Sequence, residues 1–523
     1  MEKEYIVSLN DGVNYLEFWE EMETSITGHS YIPDRTVDIV NERPGSQRSC
    51  HYALTDSEVA ILRNDPRVYS VELPPEQRSD IQIGHNASQT GNFTKPSNSS
   101  GDNLNWGLLR CINQTNIYGT GTSHNGYTYD YHLDGTGVDI VIQDSGLQID
   151  HPEFTDSNGN SRVQLIDWYS ASGLSGTQSA NHYRDYHGHG THVAGISAGR
   201  TYGWAKNARI YSVKVNGLEG TGDSNTGISV TDAFDVIKLW HLNKPVDPVT
   251  GLKRPTVVNM SWGYSYTGSD TMIVSGGTYR GSGWLSSNIN YNTSAKRTTN
   301  FGIREGYTVP ARVGSVDVDV AELIEAGVIV CIAAGNAPYK IDSSVGSDYN
   351  NIVNSNYGSM YYHRGSSPYS ANALMVGVID STTWDANTER ITSYASKGPG
   401  VDIWAPGSRI TSAASNINEI GSSSYYLNNS YQQSSIGGSS MATPQIAGIA
   451  TLYLQANPGA TPAEVKDFLL KTSKSTIYSS GLDSDYSNTY SLLGGSNRMA
   501  YFPFGVSNGM TSNNLTVSAS LKR

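Results

Sequence analysis

The rhythm of the sequence changes at Trp106, and that change constrains the fold more than any other feature. Beyond it, short and almost wholly apolar runs alternate with stretches of helical periodicity; Val138–Gln143, Ala208–Val215, Thr256–Met260 and Val328–Ala333 are the clearest runs. A strand that is apolar on both faces has none to offer water, so helices must cover it on each side. Helical periodicity is read over Thr231–Leu242, Val318–Ala326, Met441–Gln455 and Pro462–Lys471. The expected fold is a three-layer, doubly wound, mostly parallel α/β sheet.

Residues 1–75 follow another pattern. An alternating strand Glu4–Leu9, an amphipathic helix Tyr15–Glu23, an extended middle, a helix Asp56–Arg63 and a strand Val68–Leu73 predict a small βαββαβ unit of the ferredoxin-like α+β kind. Residues 76–104 are rich in Pro, Gly, Ser, Asn and Gln and read as an exposed linker. The main domain is then expected over residues 105–503, with polar surface insertions near 262–317 and 337–367, and a polar tail at 504–523.

With 523 residues, 37% apolar and 16% charged, the chain can bury a large core. Its formal net charge of -13 opposes association with phosphate backbones or anionic membranes, so no nucleic-acid partner is expected. The N-terminus lacks a basic segment followed by an apolar run, and no window approaches 18 apolar residues, so neither a Sec-type signal nor a membrane span is expected. Cys50, Cys111 and Cys331 are too few and too scattered for a disulfide framework.

Cleaving an amide at neutral pH needs a nucleophile, a base to take its proton, and donors where the carbonyl oxygen gains charge. Val138-Asp-Ile-Val-Ile-Gln-Asp144-Ser-Gly puts a carboxylate at the end of a buried strand, where it can orient a histidine; by itself such a carboxylate equally fits an Asx turn or a helix cap. Asp185-Tyr-His-Gly-His189-Gly-Thr-His192 brings His187, His189 and His192 together. A zinc site is the alternative reading, but no HExxH glutamate or cysteine pair accompanies them. His189 is the better candidate for a general base, with Gly188 and Gly190 leaving room for a substrate backbone. Gly437-Gly-Ser-Ser440-Met-Ala-Thr-Pro444 sets Ser440 in the first turn of an apolar helix, where the helix dipole favours developing negative charge; an ordinary helix cap is the competing explanation. Gly335-Asn336 after a strand fits either a turn or an oxyanion donor.

Together, in the order Asp, His, Ser, these segments resemble the signature blocks of the subtilisin-like serine peptidases. His189-Gly-Thr-His-Val-Ala-Gly195 and Gly438-Ser-Ser-Met-Ala-Thr-Pro444 are the most specific strings, departing at Ser439 and Gln445, where the family usually has Thr and His. Trp106–Arg110, His151–Phe154, Val257–Gly263, Val328–Asn336 and Ser393–Gly407 extend the resemblance over about residues 105 to 475.

The resemblance implies a serine endopeptidase with catalytic Asp144, His189 and Ser440 and an oxyanion hole at Asn336. It further implies a substrate cleft lined by Ser261, Trp262, Gly263, Ala333, Ala334 and Gly335, with Trp262 where a smaller residue is usual. The partners implied are polypeptide substrates and the chain's own N-terminal unit, which resembles an inhibitory propeptide, with a processing site in residues 76–104. No cofactor is needed for the chemistry. Structural calcium is the cation the resemblance implies; Asp402 matches a position that ligates it in other members, whereas Ile196–Gly203 lacks the Asn-containing loop of the tightest site. The alternative is a peptidase fold serving a structural or assembly role, as in a virion.

Overall fold

The computed structural model describes residues 2–24, 33, 35–78, 81–85, 87–90, 105–119, 131, 133–248 and 250–503. The polar tail at 504–523 and residues 91–104 of the linker lie outside the described residues.

The N-terminal unit runs β1 (Lys3–Leu9), α1 (Tyr15–Glu23), β2 (Ile39–Asn41), β3 (Ser49–Leu54), α2 (Asp56–Leu62) and β4 (Val68–Glu72). Its strands form an antiparallel sheet in the order β2-β3-β1-β4, with Val7 opposite both Cys50 and Val71. One face of that sheet and the buried sides of the helices, Phe18, Met22, Val59 and Leu62, enclose a separate core. Thr55 and Glu58 close a reciprocal capping box that fixes the start of α2.

Two short strands follow, β5 (Ile81–His85) and β6 (Ala87–Thr90). Hydropathy had marked this stretch only as linker. Both strands pair through the main chain with the larger domain, and such pairing needs no apolar periodicity.

The larger domain is organised around β7 (Asp139–Asp144), α3 (His189–Ala198), β8 (Arg209–Lys214), α4 (Val230–Asn243), β9 (Thr256–Met260), β10 (Trp262–Tyr266), α5 (Gly314–Glu325), β11 (Ile329–Ala333), β12 (Leu374–Ile379), β13 (Ile403–Pro406), β14 (Asn428–Gly438), α6 (Ser439–Ala456) and α7 (Pro462–Thr472). Six of these strands make a parallel sheet in the order β13-β12-β11-β9-β7-β8. Successive side chains alternate between its faces. Ile140 and Ile142 face the core with α3 and α6, and Val141 faces the core with α4 and α5; Cys331 and Ile332 divide in the same way. This is the three-layer arrangement expected from doubly apolar strands.

The insertions are more ordered than surface loops. Strands Ser282–Leu285, Val274–Tyr279, Ile352–Ser355 and Gly358–Tyr361 form an antiparallel sheet drawn from both, over a core that includes stacked Trp284 and Phe301, 4.4 Å between centroids. Buried Asp348 ties this part together, accepting from Arg280 Nε at 2.6 Å and Lys340 Nζ at 2.7 Å. These charges hold its carboxyl below the usual carboxylate range despite burial. All three cysteines are buried and unpaired by disulfides. Among the described residues, no helix is long and apolar enough to cross a membrane.

The start of the larger domain is pinned by charge. Arg110, fully buried on the helix Trp106–Cys111, donates from Nε to the Glu389 carboxylate, from Nη1 to Asn113 O at 2.8 Å and from Nη2 to Thr476 Oγ1 at 3.1 Å. Removing one partner of a buried pair leaves the other charge uncompensated. Arg110→Ala is therefore expected to destabilise the domain by about 3–5 kcal/mol. Chemical denaturation followed by tryptophan fluorescence checks this, and an unchanged midpoint refutes it.

Candidate active site

Strand register builds the site. Gln143 on β7 pairs with Met260 on β9, so the next residues, Asp144 and Ser261, stand side by side at the carboxyl ends of adjacent parallel strands. Met260 also pairs with Ile332 on β11, which brings Ala333 level with Ser261. In open α/β sheets this edge is where loops converge to form sites.

One candidate side chain hangs from each of the first two strand ends. Asp144 Oδ1 lies 2.8 Å from His189 Nδ1, and both side chains are fully buried. Ser440 Oγ donates to the Ser261 carbonyl at 2.9 Å, and Ser261 Oγ returns a bond to Ser440 O at 3.1 Å. Asn259 Nδ2 donates to Ser261 Oγ at 2.9 Å, locking this residue from behind. Asp144 also accepts the Ser145 N–H at 2.8 Å, which fixes the carboxylate plane.

His189 opens α3, and two residues hold that helix start. Asp185 accepts from the N–H groups of Gly188 at 2.8 Å and Thr191 at 2.9 Å and from Ser145 Oγ at 2.9 Å; Ser145 Oγ in turn accepts the Gly190 N–H at 2.9 Å. Sequence reasoning did not single out Asp185. Its position four residues before the helix start at His189 was the available signal. Gly188 has φ 92°, a left-handed conformation costly for other residues. A Cβ on Gly190 would lie 2.2 Å from Gly146 O, so the close approach at this glycine is to the chain's own backbone.

The histidine cluster does not converge on a metal. His192 is fully buried, and its Nε2 lies 3.1 Å from both the Ile410 and Ser434 carbonyls; burial pulls its pKa down to about 3. His189 faces Asp144, and the His187 and His189 rings meet edge to face at 6.0 Å. Among the described residues, no group of three or more His, Cys, Asp or Glu side chains is placed to hold an ion.

Asn336 follows Gly335, whose φ of 111° lets the chain turn sharply out of β11. Its Oδ1 accepts the Ser439 N–H at 2.9 Å, which orients the amide. Its Nδ2 is buried and has no hydrogen-bond partner among the described residues. Such an unmet donor is costly unless a ligand or water meets it. Gly335 N–H donates to Ser439 Oγ at 3.1 Å, and Ala334 N–H donates to Val376 O at 3.0 Å. Trp262 is wholly buried, edge-on to Tyr264 at 5.8 Å between ring centroids. Gln445 accepts from Trp204 Nε1 at 2.7 Å and donates to Asn105 Oδ1 at 2.8 Å, tying the helix that carries Ser440 to the start of the domain.

The sequence profile of the subtilase family matches residues 135–498. An extracellular serine proteinase of Thermus sp. (strain Rt41A) is 28% identical over 416 residues, covering 79% of this chain and 68% of that protein. Proteinase R of Parengyodontium album is 28% identical over 421 residues, covering 80% and 73% respectively. The chain spans 58% of a cuticle-degrading serine protease of Arthrobotrys oligospora, which is 26% identical over 343 residues. Among solved structures, fervidolysin from Fervidobacterium pennivorans, described as a keratinolytic enzyme related to subtilisin, aligns with a TM-score of 0.51 at 16% identity, over 96% of this chain and 60% of that one. The parallel sheet, the residues gathered at its carboxyl edge and the profile match over 135–498 agree: the chain belongs to the subtilase family, and its chemistry is that of a serine endopeptidase.

Proposed function

We propose that the chain is a self-processing serine endopeptidase in which Asp144, His189 and Ser440 form the triad and Asn336 the oxyanion hole. The observation that carries this reading is the junction at two neighbouring strand ends, where the Asp144–His189 and Ser261–Ser440 bonds stand side by side beside the unmet Asn336 Nδ2.

In this mechanism Ser440 Oγ turns from the Ser261 carbonyl to which it donates in the structure, gives its proton to His189 Nε2 and attacks the scissile carbonyl carbon. Asp144 holds the imidazole in the required tautomer and stabilises its positive charge. Asn336 Nδ2 and the Ser440 backbone N–H donate to the oxyanion. The tetrahedral intermediate collapses, His189 returns the proton to the leaving amine, and water then hydrolyses the acyl-enzyme by the same route. Ser261, Trp262 and Gly263 offer a backbone edge to an extended substrate, while Ala333, Ala334 and Gly335 line the wall opposite. Polypeptides without a strict side-chain signature are the substrate class that such pairing favours.

The self-processing reading draws support from β5 and β6. β5 lies antiparallel to β10 with Gly84 opposite Gly263, and β6 lies antiparallel to the end of β14 with Ala87 opposite Gly438, two residues before Ser440. A substrate crossing the nucleophile would make the same two pairings in succession. The N-terminal unit itself sits on α4 and α5. Arg43, almost wholly buried, donates to Asp235 Oδ1 at 3.0 Å and Asp319 Oδ1 at 3.1 Å, and Glu72 Oε1 accepts the Ser315 N–H at 2.7 Å in the first turn of α5. The proposed role of residues 1–75 is thus to deliver its exiting strand to the cleft and to inhibit until released.

Ser440→Ala and His189→Ala are each expected to abolish peptide hydrolysis without loss of fold, and together to cost no more than either alone. Turnover measured on a quenched peptide, with circular dichroism as the control for folding, decides it. Asn336→Ala should lower kcat by roughly a hundred- to a thousandfold with KM little changed, a magnitude measured on a subtilisin. A raised KM at constant kcat would instead make Asn336 a ground-state contact. N-terminal sequencing should find a new terminus at Asn86 or Ala87 in the active protein and an uncut chain in Ser440→Ala. Active protein that keeps only its original terminus refutes self-processing.

A further inference from the structure

Calcium at Asp402 is the cofactor the family resemblance implies, and the donor set there does not fit it. Three oxygens converge on one point: Ala373 O, Ala371 O and Asp402 Oδ2. That point is filled by the Lys466 ammonium of α7, with Nζ 2.6 Å, 2.8 Å and 2.9 Å from them in turn. Calcium takes six to eight oxygens at about 2.3–2.6 Å. Here the centre of the cage already carries a positive charge, and its three N–H groups match three acceptors. An ion in the same place would overlap Nζ and face like charge.

We propose that Lys466 is a tethered replacement for a metal ion: its ammonium neutralises Asp402 and satisfies two converging carbonyls, and removing the amine uncovers a calcium site. The surroundings support a structural cation. The Asp402 and Lys466 side chains are only 21% and 16% exposed, so neither charge is left to water. Asp402 Oδ2 also accepts the Met375 N–H at 2.9 Å, and the Asp402 N–H donates to Met375 O at 2.9 Å. The carboxylate is therefore fixed to β12 whatever cation it faces. The carbonyls come from the segment leading into β12 and the ammonium from α7, so the cation joins a strand entrance to a surface helix. A bound ion stabilises only in proportion to its free concentration. A side chain is always present, so the tie is indifferent to chelators.

The test uses the full chain carrying Ser440→Ala to prevent self-digestion; calorimetry and ion counting need no proteolysis, so the outcome stands apart from the peptidase reading. In that background Lys466→Met and Lys466→Ala should each lower Tm by several degrees in EDTA, and millimolar calcium chloride should restore it. Equilibrium dialysis with radioactive calcium should count one more ion per chain in Lys466→Ala than in its parent. Adding Asp402→Asn should abolish both the rescue and the extra ion. A Lys466→Ala chain that folds only with calcium present also supports the proposal. Equal calcium binding by the parent and both Lys466 variants overturns it, as does calcium stabilisation of the parent that Asp402→Asn alone removes.

Discussion

Parallel strands stand about 4.8 Å apart in the hydrogen-bonding direction, and the site depends on that spacing. Once Gln143 pairs with Met260, Asp144 and Ser261 must emerge as neighbours, and the groups bonded to them, His189 and Ser440, are brought to the same edge. A slip of one residue between β7 and β9 would turn alternate side chains onto the wrong faces and remove the buried Val141 and Val258 from their core. The same packing that fixes the fold therefore fixes the chemistry. The helices add direction: α3 and α6 both begin at this edge and point their N-termini into it.

Residues whose roles come from local pattern were legible in the sequence. The strand Thr256–Met260 and the helix Tyr15–Glu23 fall within their expected bounds, and α4, α6 and α7 differ from expectation by one or two residues at their ends. Burial on one face or both writes itself into periodicity. Asp144, His189 and Ser440 stood out as candidates because each ends a strand or opens a helix beside small residues, and Asn336 because it follows a strand and a glycine. Lys466 carried no such mark: its partners lie 64 to 95 positions away on a segment of different rhythm, and nothing in the period of α7 separates it from a solvated lysine. The insertion sheet was hidden for a related reason. Its core is built from scattered aromatics, Trp284, Phe301 and Tyr362, in a setting of Gly, Ser and Asn, so no window looked apolar enough.

The proposed self-processing asks the N-terminal unit both to dock and to be released. Its buried contact with α4 and α5 includes an ionic centre, one guanidinium between two carboxylates. Burial pushes the Asp319 carboxyl above the usual carboxylate range, against the pull of Arg43. Charges of this kind contribute little net stability compared with apolar substitutes but penalise any other partner severely. The arrangement favours specificity of docking over depth of the bound state.

The three cysteines are spread through the molecule in a way that gives its interior a set of internal clocks. Cys50 belongs to the N-terminal sheet, Cys111 to the first helix of the larger domain, and Cys331 to the central strand of the parallel sheet. Burial pushes the thiols of Cys50 and Cys111 up to about 11 and 12 and raises that of Cys331 as well. The reactive thiolate is thus suppressed at each position until the surrounding segment opens. Alkylation at each sulfur then proceeds at the rate set by the opening free energy of its own region. The exchange lifetimes of three sulfur atoms would thus report separately on the N-terminal sheet, the first helix of the larger domain and the parallel sheet.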